Sequence, residues 1–290
     1  MKNILVTGAK GQVGSELRSL AAKNFLPDFN VIFSDADELD ICNYDEVADF
    51  FKANQIAYCI NCAAYTAVDK AESDTDNAIK VNVTGTENLA SACNIYGAKL
   101  LHISTDYVYH NSQNTPFIET DETNPQSVYG LTKLQGEQKA MEICAQTIVV
   151  RTSWVYSSFG NNFVKTMLKL GAERPELKVI FDQIGTPTYA ADLAEAMLDM
   201  IKIHESGNGP QWKGIYHYSN EGVCSWYDFA VSIFEIRKLP VKVFPIETKD
   251  YPTPARRPHF SLLNKSKIKA DFGIGIPYWR DSLKKCLELL

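Results

Sequence analysis

Gly8-x-x-Gly11-x-x-Gly14 lies between an apolar run at 3–7 and an amphipathic stretch at 13–23. Strand, glycine turn and helix in that order commit the chain to a βαβ unit. The glycines permit a tight turn, close approach of backbone to a ligand, and packing of the helix on the sheet. The helix start then offers free N–H groups and its positive dipole end to an anion. Gly8, Gly11 and Gly14 therefore predict a pyrophosphate cradle.

The pattern beyond that turn repeats its logic. Apolar runs at 3–7, 30–34, 58–61, 99–103 and 147–151 predict strands, and 13–23, 44–54, 76–96 and 128–144 predict helices. Alternation of this kind implies an α/β fold, a Rossmann-type doubly wound parallel sheet. Asp45 is placed to open the second helix, and Gly97 to close the third in a left-handed conformation. After Arg151 the punctuation changes. Gly160-Asn161-Asn162 opens a further helix, and Tyr251-Pro-Thr-Pro-Ala-Arg-Arg-Pro258 reads as a stiff loop. The expected division is 1–155 for dinucleotide binding and 156–290 for a smaller C-terminal α/β substrate-binding domain. Strands at 178–181 and 214–218 are expected there, some of this part returning to the main sheet.

Composition removes several classes. The 45% hydrophobic content can fill a large core, and 29 Lys plus Arg against 35 Asp plus Glu, with no basic block, argue against a nucleic-acid or polybasic membrane surface. MKNILVTG reads as a buried strand rather than a signal peptide, so a cytoplasmic protein is expected. Seven scattered cysteines fit reduced thiols. Cys59-Ile-Asn-Cys62 could be a redox pair, but within IAYCINCAA it reads as strand, which sends the two thiols to opposite faces. His102, His110, His204, His217 and His259 form no zinc pattern, and no metal is implied.

Tyr129 and Lys133, four apart, share one face of the helix at 128–144. A phenol of pKa about 10 donates sluggishly near neutrality, and an adjacent ammonium is expected to lower that by about 1 to 3 units. Lys133 can also reach a nicotinamide ribose. Thr105 follows the fourth strand at the sheet edge where open α/β sheets bind ligands, and can hydrogen-bond both a substrate oxygen and the phenol. Ser104 is the neighbouring candidate, pointed away by strand alternation. Asp106 faces the pocket or caps the loop.

Asp35, after the second strand, is placed to accept from ribose hydroxyls, which favours NADH over NADPH, although Lys10 could partly meet a 2′-phosphate. Asp40 and Ile41 are expected beside the adenine, and the small segment Ala63-Ala64-Tyr65-Thr66 lets a cofactor lie close. Trp154 could stack on a sugar or serve as core. Arg256 and Arg257, between prolines, suit a diphosphate or an ion pair.

Together GAKGQVGSEL, NCAAYTAVDKAE, STDYVY, YGLTKLQGE, RTSWVYSSFGNNFVKTML and YPTPARRPHFSLLN resemble the dTDP-4-dehydrorhamnose reductase family of the extended short-chain dehydrogenase/reductases, in the same order over almost the whole chain. The resemblance implies reduction of dTDP-4-dehydro-L-rhamnose by NADPH or NADH. Tyr129 is then the proton donor, Lys133 its partner and cofactor anchor, and Thr105 the residue that tunes the phenol. Gly11, Gln12 and Val13 would hold the pyrophosphate; Asp35, Asp40, Ile41, Ala64, Tyr65 and Thr66 the rest of the cofactor. Thr105, Asp106 and Trp154 would meet the deoxysugar. Tyr109 stands where Phe is usual, and Cys62 and Tyr65 where Ala and His are common. A monomer or a homodimer is compatible with the resemblance. A nucleotide-sugar epimerase is the alternative on the same fold, and a non-catalytic subunit like the regulatory one of methionine adenosyltransferase is the alternative of another class.

Overall fold

The apolar runs become strands because their side chains are covered on both sides. Ile4, Val6, Tyr58, Ile60, Leu101, Ile148 and Val150 enter one apolar cluster, while the alternate residues Leu5, Cys59 and Leu100 enter a second. Helices Gln12–Ala22, Ala190–Glu205 and Ser266–Phe272 close the first cluster. Tyr44–Asn54, Gly85–Tyr96 and Val128–Ile143 close the second. The computed structural model describes residues 1–23 and 25–290.

Six parallel strands form the sheet, in the order Gly214–His217, Thr147–Thr152, Lys99–Thr105, Ile56–Asn61, Lys2–Thr7, Phe29–Phe33. The chain goes from Lys2–Thr7 to one neighbour and then crosses to the other. A crevice therefore opens beyond the carboxyl ends of Lys2–Thr7 and Ile56–Asn61, the place where such sheets take ligands.

A third apolar cluster gathers Tyr156, Val164, Phe229, Phe234, Trp279 and Leu283 among the C-terminal helices Phe163–Glu173, Trp226–Arg237 and Trp279–Glu288. Asn162 opens the first of these, its side chain accepting from the Lys165 N–H. The strand expected near 178–181 forms at Glu176–Ile180 but stays outside the main sheet, pairing in parallel with Lys242–Ile246. Its alternation of exposed and buried residues, with Leu177 and Val179 turned into the third cluster, is that of a sheet covered on one face. Gly214–His217 does join the central sheet, beside Thr147–Thr152.

Two helix expectations are corrected. Asn43, not Asp45, opens Tyr44–Asn54, because its side chain accepts from the N–H groups of Asp45 and Glu46. The helix expected over 76–96 is broken by a π turn at Lys80–Thr84. Gly97 closes it with φ +72°, as expected. Cys59 and Cys62 contact opposite clusters, and all seven cysteines are free thiols. Among the described residues, no group of three or more His, Cys, Asp or Glu is placed to hold a metal ion, and no helix is long and apolar enough to cross a membrane.

Candidate functional site

A cleft of about 820 Å³ runs from the glycine turn, across the carboxyl ends of the strands, to the C-terminal helices. Gly8, Gly11, Gln12, Val13 and Gly14 form one wall. Gly8 has φ +63°, and a Cβ there would stand 2.6 Å from the Ala63 nitrogen; one on Gly14 would stand 2.4 Å from the Gly8 oxygen. Only glycine fits either position. No side chain caps the start of Gln12–Ala22, so its first N–H groups remain open to an anion. This is a cradle that suits a dinucleotide pyrophosphate.

Further along, Asp35 accepts from the Lys10 and Ala36 N–H groups at 2.8 and 2.9 Å, and Lys10 Nζ pairs with Asp37 at 2.6 Å. Asp40 and Ile41 line the same end, as do Ala63, Ala64, Tyr65 and Thr66 opposite. Asn82 positions that second segment: its Oδ1 accepts from the Tyr65 N–H at 2.8 Å, and its Nδ2 donates to the Tyr65 carbonyl at 3.3 Å and to Thr132 Oγ1 at 3.0 Å. The π turn is what turns this buried asparagine toward the loop, consistent with the frequent use of such bulges near functional sites. Nothing in the sequence spacing of 76–96 signalled it.

Tyr129, Lys133 and Thr105 meet in the middle of the cleft. Ser127 caps the helix that carries Tyr129 and Lys133, its Oγ accepting from the Gly130 N–H at 3.1 Å. Gly130 is required where it stands, since a Cβ would lie 2.5 Å from the Tyr107 carbonyl oxygen. The Tyr107 ring meets Tyr129 edge to face at 5.5 Å. Desolvation pushes the Tyr129 phenol up to about 12, with the Thr105 side chain pulling it back and Asp106 adding to the rise. The expected lowering by Lys133 is therefore not found: desolvation sets the phenol instead. Lys133 Nζ instead donates to the Ile103 carbonyl at 2.7 Å and lies 3.4 Å from His102 Nε2. Burial brings the Lys133 ammonium down to about 8.

Asp106 is buried, and burial raises its carboxyl to about 6. Thr105 Oγ1 donates to its Oδ1 at 3.2 Å, while Oδ2 has no partner. Ser104 was expected to point away, yet it too lines the cleft with an unpartnered Oγ, because the strand ends here and the backbone turns into Asp106–Val108. Both oxygens are buried without a partner among the described side chains, which leaves acceptor capacity in the wall beside the cleft.

At the far end Trp154, with φ +48°, lies parallel to Trp226 at 3.7 Å between ring centroids. Trp226 was not singled out from the sequence; it opens the helix Trp226–Arg237, far along the chain, and only the fold brings the two together. Arg257 is placed differently from the rest. It grips Asp69 with both guanidinium nitrogens, at 2.7 and 3.1 Å, and does not line the cleft in this state.

Comparison with known proteins gives a consistent result. The family model described as RmlD substrate binding domain matches residues 1–290. The chain is similar to a dTDP-4-dehydrorhamnose reductase of Escherichia coli (strain K12), 43% identical, with 99% of this chain and 98% of that protein covered. Crystal structures of a dTDP-4-dehydrorhamnose reductase from Clostridium acetobutylicum ATCC 824 (43% identity, 99% of both chains, TM-score 0.92) and of one from Bacillus anthracis str. Ames in complex with NADP (37% identity, 100% of both chains, TM-score 0.92) superpose over essentially the full length.

Proposed function

This chain belongs to the dTDP-4-dehydrorhamnose reductase family, and from that we infer that its cleft reduces dTDP-4-dehydro-L-rhamnose to dTDP-L-rhamnose with NAD(P)H, Tyr129 giving the proton. The observation that carries the assignment of roles is the convergence of Tyr129, Lys133 and Thr105 in one cleft with the glycine cradle. Gly11, Gln12 and Val13 would hold the pyrophosphate, Asp35, Asp40 and Ile41 the adenosine end, and Ala63 to Thr66 the middle. When bound there, the nicotinamide supplies the hydride.

The protein's own part is proton delivery and orientation. A phenol at about 12 stays protonated at working pH, and an alkoxide is far more basic than a phenolate, so Tyr129 can hand its proton to the developing O4. Tyr129 would meet that oxygen directly, and Thr105 would turn its hydroxyl from Asp106 to join it. Their hydrogen bonds strengthen as negative charge appears, so they favour the transition state over the ketone. Asp106 would meet a sugar hydroxyl once the cleft wall around its buried Oδ2 opens, and Trp154 would cover the ring.

NADH is the favoured cofactor in this reading, because Asp35 stands where the adenosine ribose hydroxyls are expected. Lys10 would have to leave Asp37 to meet a 2′-phosphate. That a relative is in complex with NADP is a reason to test both. Residues 1–155 would form the cofactor domain and 156–290 mainly the substrate domain, working in the cytoplasm as a monomer or homodimer. Arg257 would turn from Asp69 to the substrate diphosphate, exchanging one bidentate anion for another. Steady-state kinetics of Arg257→Ala test that assignment. A substrate KM raised about tenfold or more, as loss of a charged hydrogen bond implies, is expected. An unchanged KM would leave Arg257 as an Asp69 tether only.

A further inference from the structure

His102 is wholly buried on strand Lys99–Thr105, its ring between Asn61 and Lys133. The neighbours of Asn61 decide which way its amide faces. The Thr7 hydroxyl and the Ala63 N–H both donate to Asn61 Oδ1, at 2.8 and 3.1 Å. Asn61 Nδ2, which can only donate, therefore faces His102 Nδ1 at 3.0 Å. Nδ1 must be the bare, accepting nitrogen. Burial keeps the ring neutral, so its single proton resides on Nε2 and points at Lys133 Nζ, 3.4 Å away.

An N–H aimed at an ammonium opposes it, whereas the same N–H donates to the lone pair of an amine. We propose that His102, oriented by Asn61, is a positioning residue whose Nε2–H stabilises the amine form of Lys133 over its ammonium and so sets the pH above which this lysine no longer serves the site as a cation. The inference rests on the reductase reading. The amine can accept from His102 Nε2–H, 3.4 Å away.

Other groups around Lys133 do not replace this effect. Glu137, one turn along the same helix, favours the cation but is held by Arg151 at 2.6 Å, and the Cys62 thiol is kept protonated by burial. Tyr129, one turn back, is neutral until it has reacted.

Histidine-selective ¹⁵N NMR of the intact, cofactor-free chain reads the tautomer directly. A neutral His102 protonated on Nε2 is expected; protonation on Nδ1, or an imidazolium near neutral pH, would overturn the proposal. Two variants then test its consequence. His102→Leu removes the donor and His102→Gln keeps one at the Nε2 position. With ¹³C-labelled lysine, the Lys133 titration of the cofactor-free protein should move up by about 0.5 to 1 pH unit in His102→Leu and return close to wild type in His102→Gln. The basic limb of the kcat profile should move with it. A uniform loss of kcat with an unmoved Lys133 titration would reduce His102 to packing. Should wild-type protein turn over no sugar nucleotide, the reductase reading falls, while the tautomer and the lysine titration still decide the role of His102.

Discussion

The indole of Trp154 lies flat on that of Trp226, 3.7 Å between centroids and 11° from parallel. Trp154 has a left-handed backbone, which a bulky residue adopts only when its surroundings hold it there. Trp226 and the edge of Gly185, whose Cβ would come within 3.0 Å of the Trp154 ring, supply that hold. Trp226→Ala should therefore raise the sugar-nucleotide KM about 5- to 10-fold, in line with loss of an aromatic pair, and leave the NADH Kd unchanged. Equal loss of cofactor affinity would show that the pair supports the whole cleft instead.

The pH profile follows from two buried groups. Lys133 keeps its proton below about 8, and the ammonium is the form that serves the phenol, so activity should fall as pH rises through about 8. Ionised Asp106 is the stronger, charge-assisted acceptor, and burial delays its ionisation to about 6, so activity should also fall as pH drops through about 6. Tyr129, protonated up to about 12, sets neither limb. The check is kcat/KM across pH. A basic limb that survives Lys133→Met would contradict the assignment.

Tyr109 is built into a buried network. Its hydroxyl accepts from Arg151 at 2.6 Å and donates to His217 Nε2 at 2.8 Å, and Arg151 also holds Glu137. His217 Nδ1 donates to the Phe117 carbonyl at 3.1 Å, so its Nε2 needs a donor. Tyr109→Phe would strand both partners. A loss of about 1 to 3 kcal/mol in urea unfolding is expected, with KM values unaffected.

Much of this was legible before the fold was seen, for a physical reason. Strands of a doubly covered parallel sheet are continuous apolar runs, and 3–7, 99–103 and 147–151 stand out as such. The Tyr44–Asn54 helix has its expected bounds. What escaped depends on tertiary context. The π turn around Asn82 has no composition signal, because it exists to bring one amide to the Tyr65 backbone. Trp226 meets Trp154 only through folding. The spacing of Tyr129 and Lys133 told that they share a helix face, but not that Lys133 would turn to Ile103 and His102 and leave the phenol to desolvation. Nor could it show that Arg257 would hold Asp69.

The central claim is that Tyr129 delivers the proton in NAD(P)H-dependent reduction of dTDP-4-dehydro-L-rhamnose. Its most direct test is the decay of nicotinamide absorbance with that substrate, for wild type and Tyr129→Phe side by side, with NADH and with NADPH. Turnover by the wild type, cut by about 100-fold or more in the variant while cofactor binding is retained, is the expected result. Comparable turnover in the two proteins would contradict it.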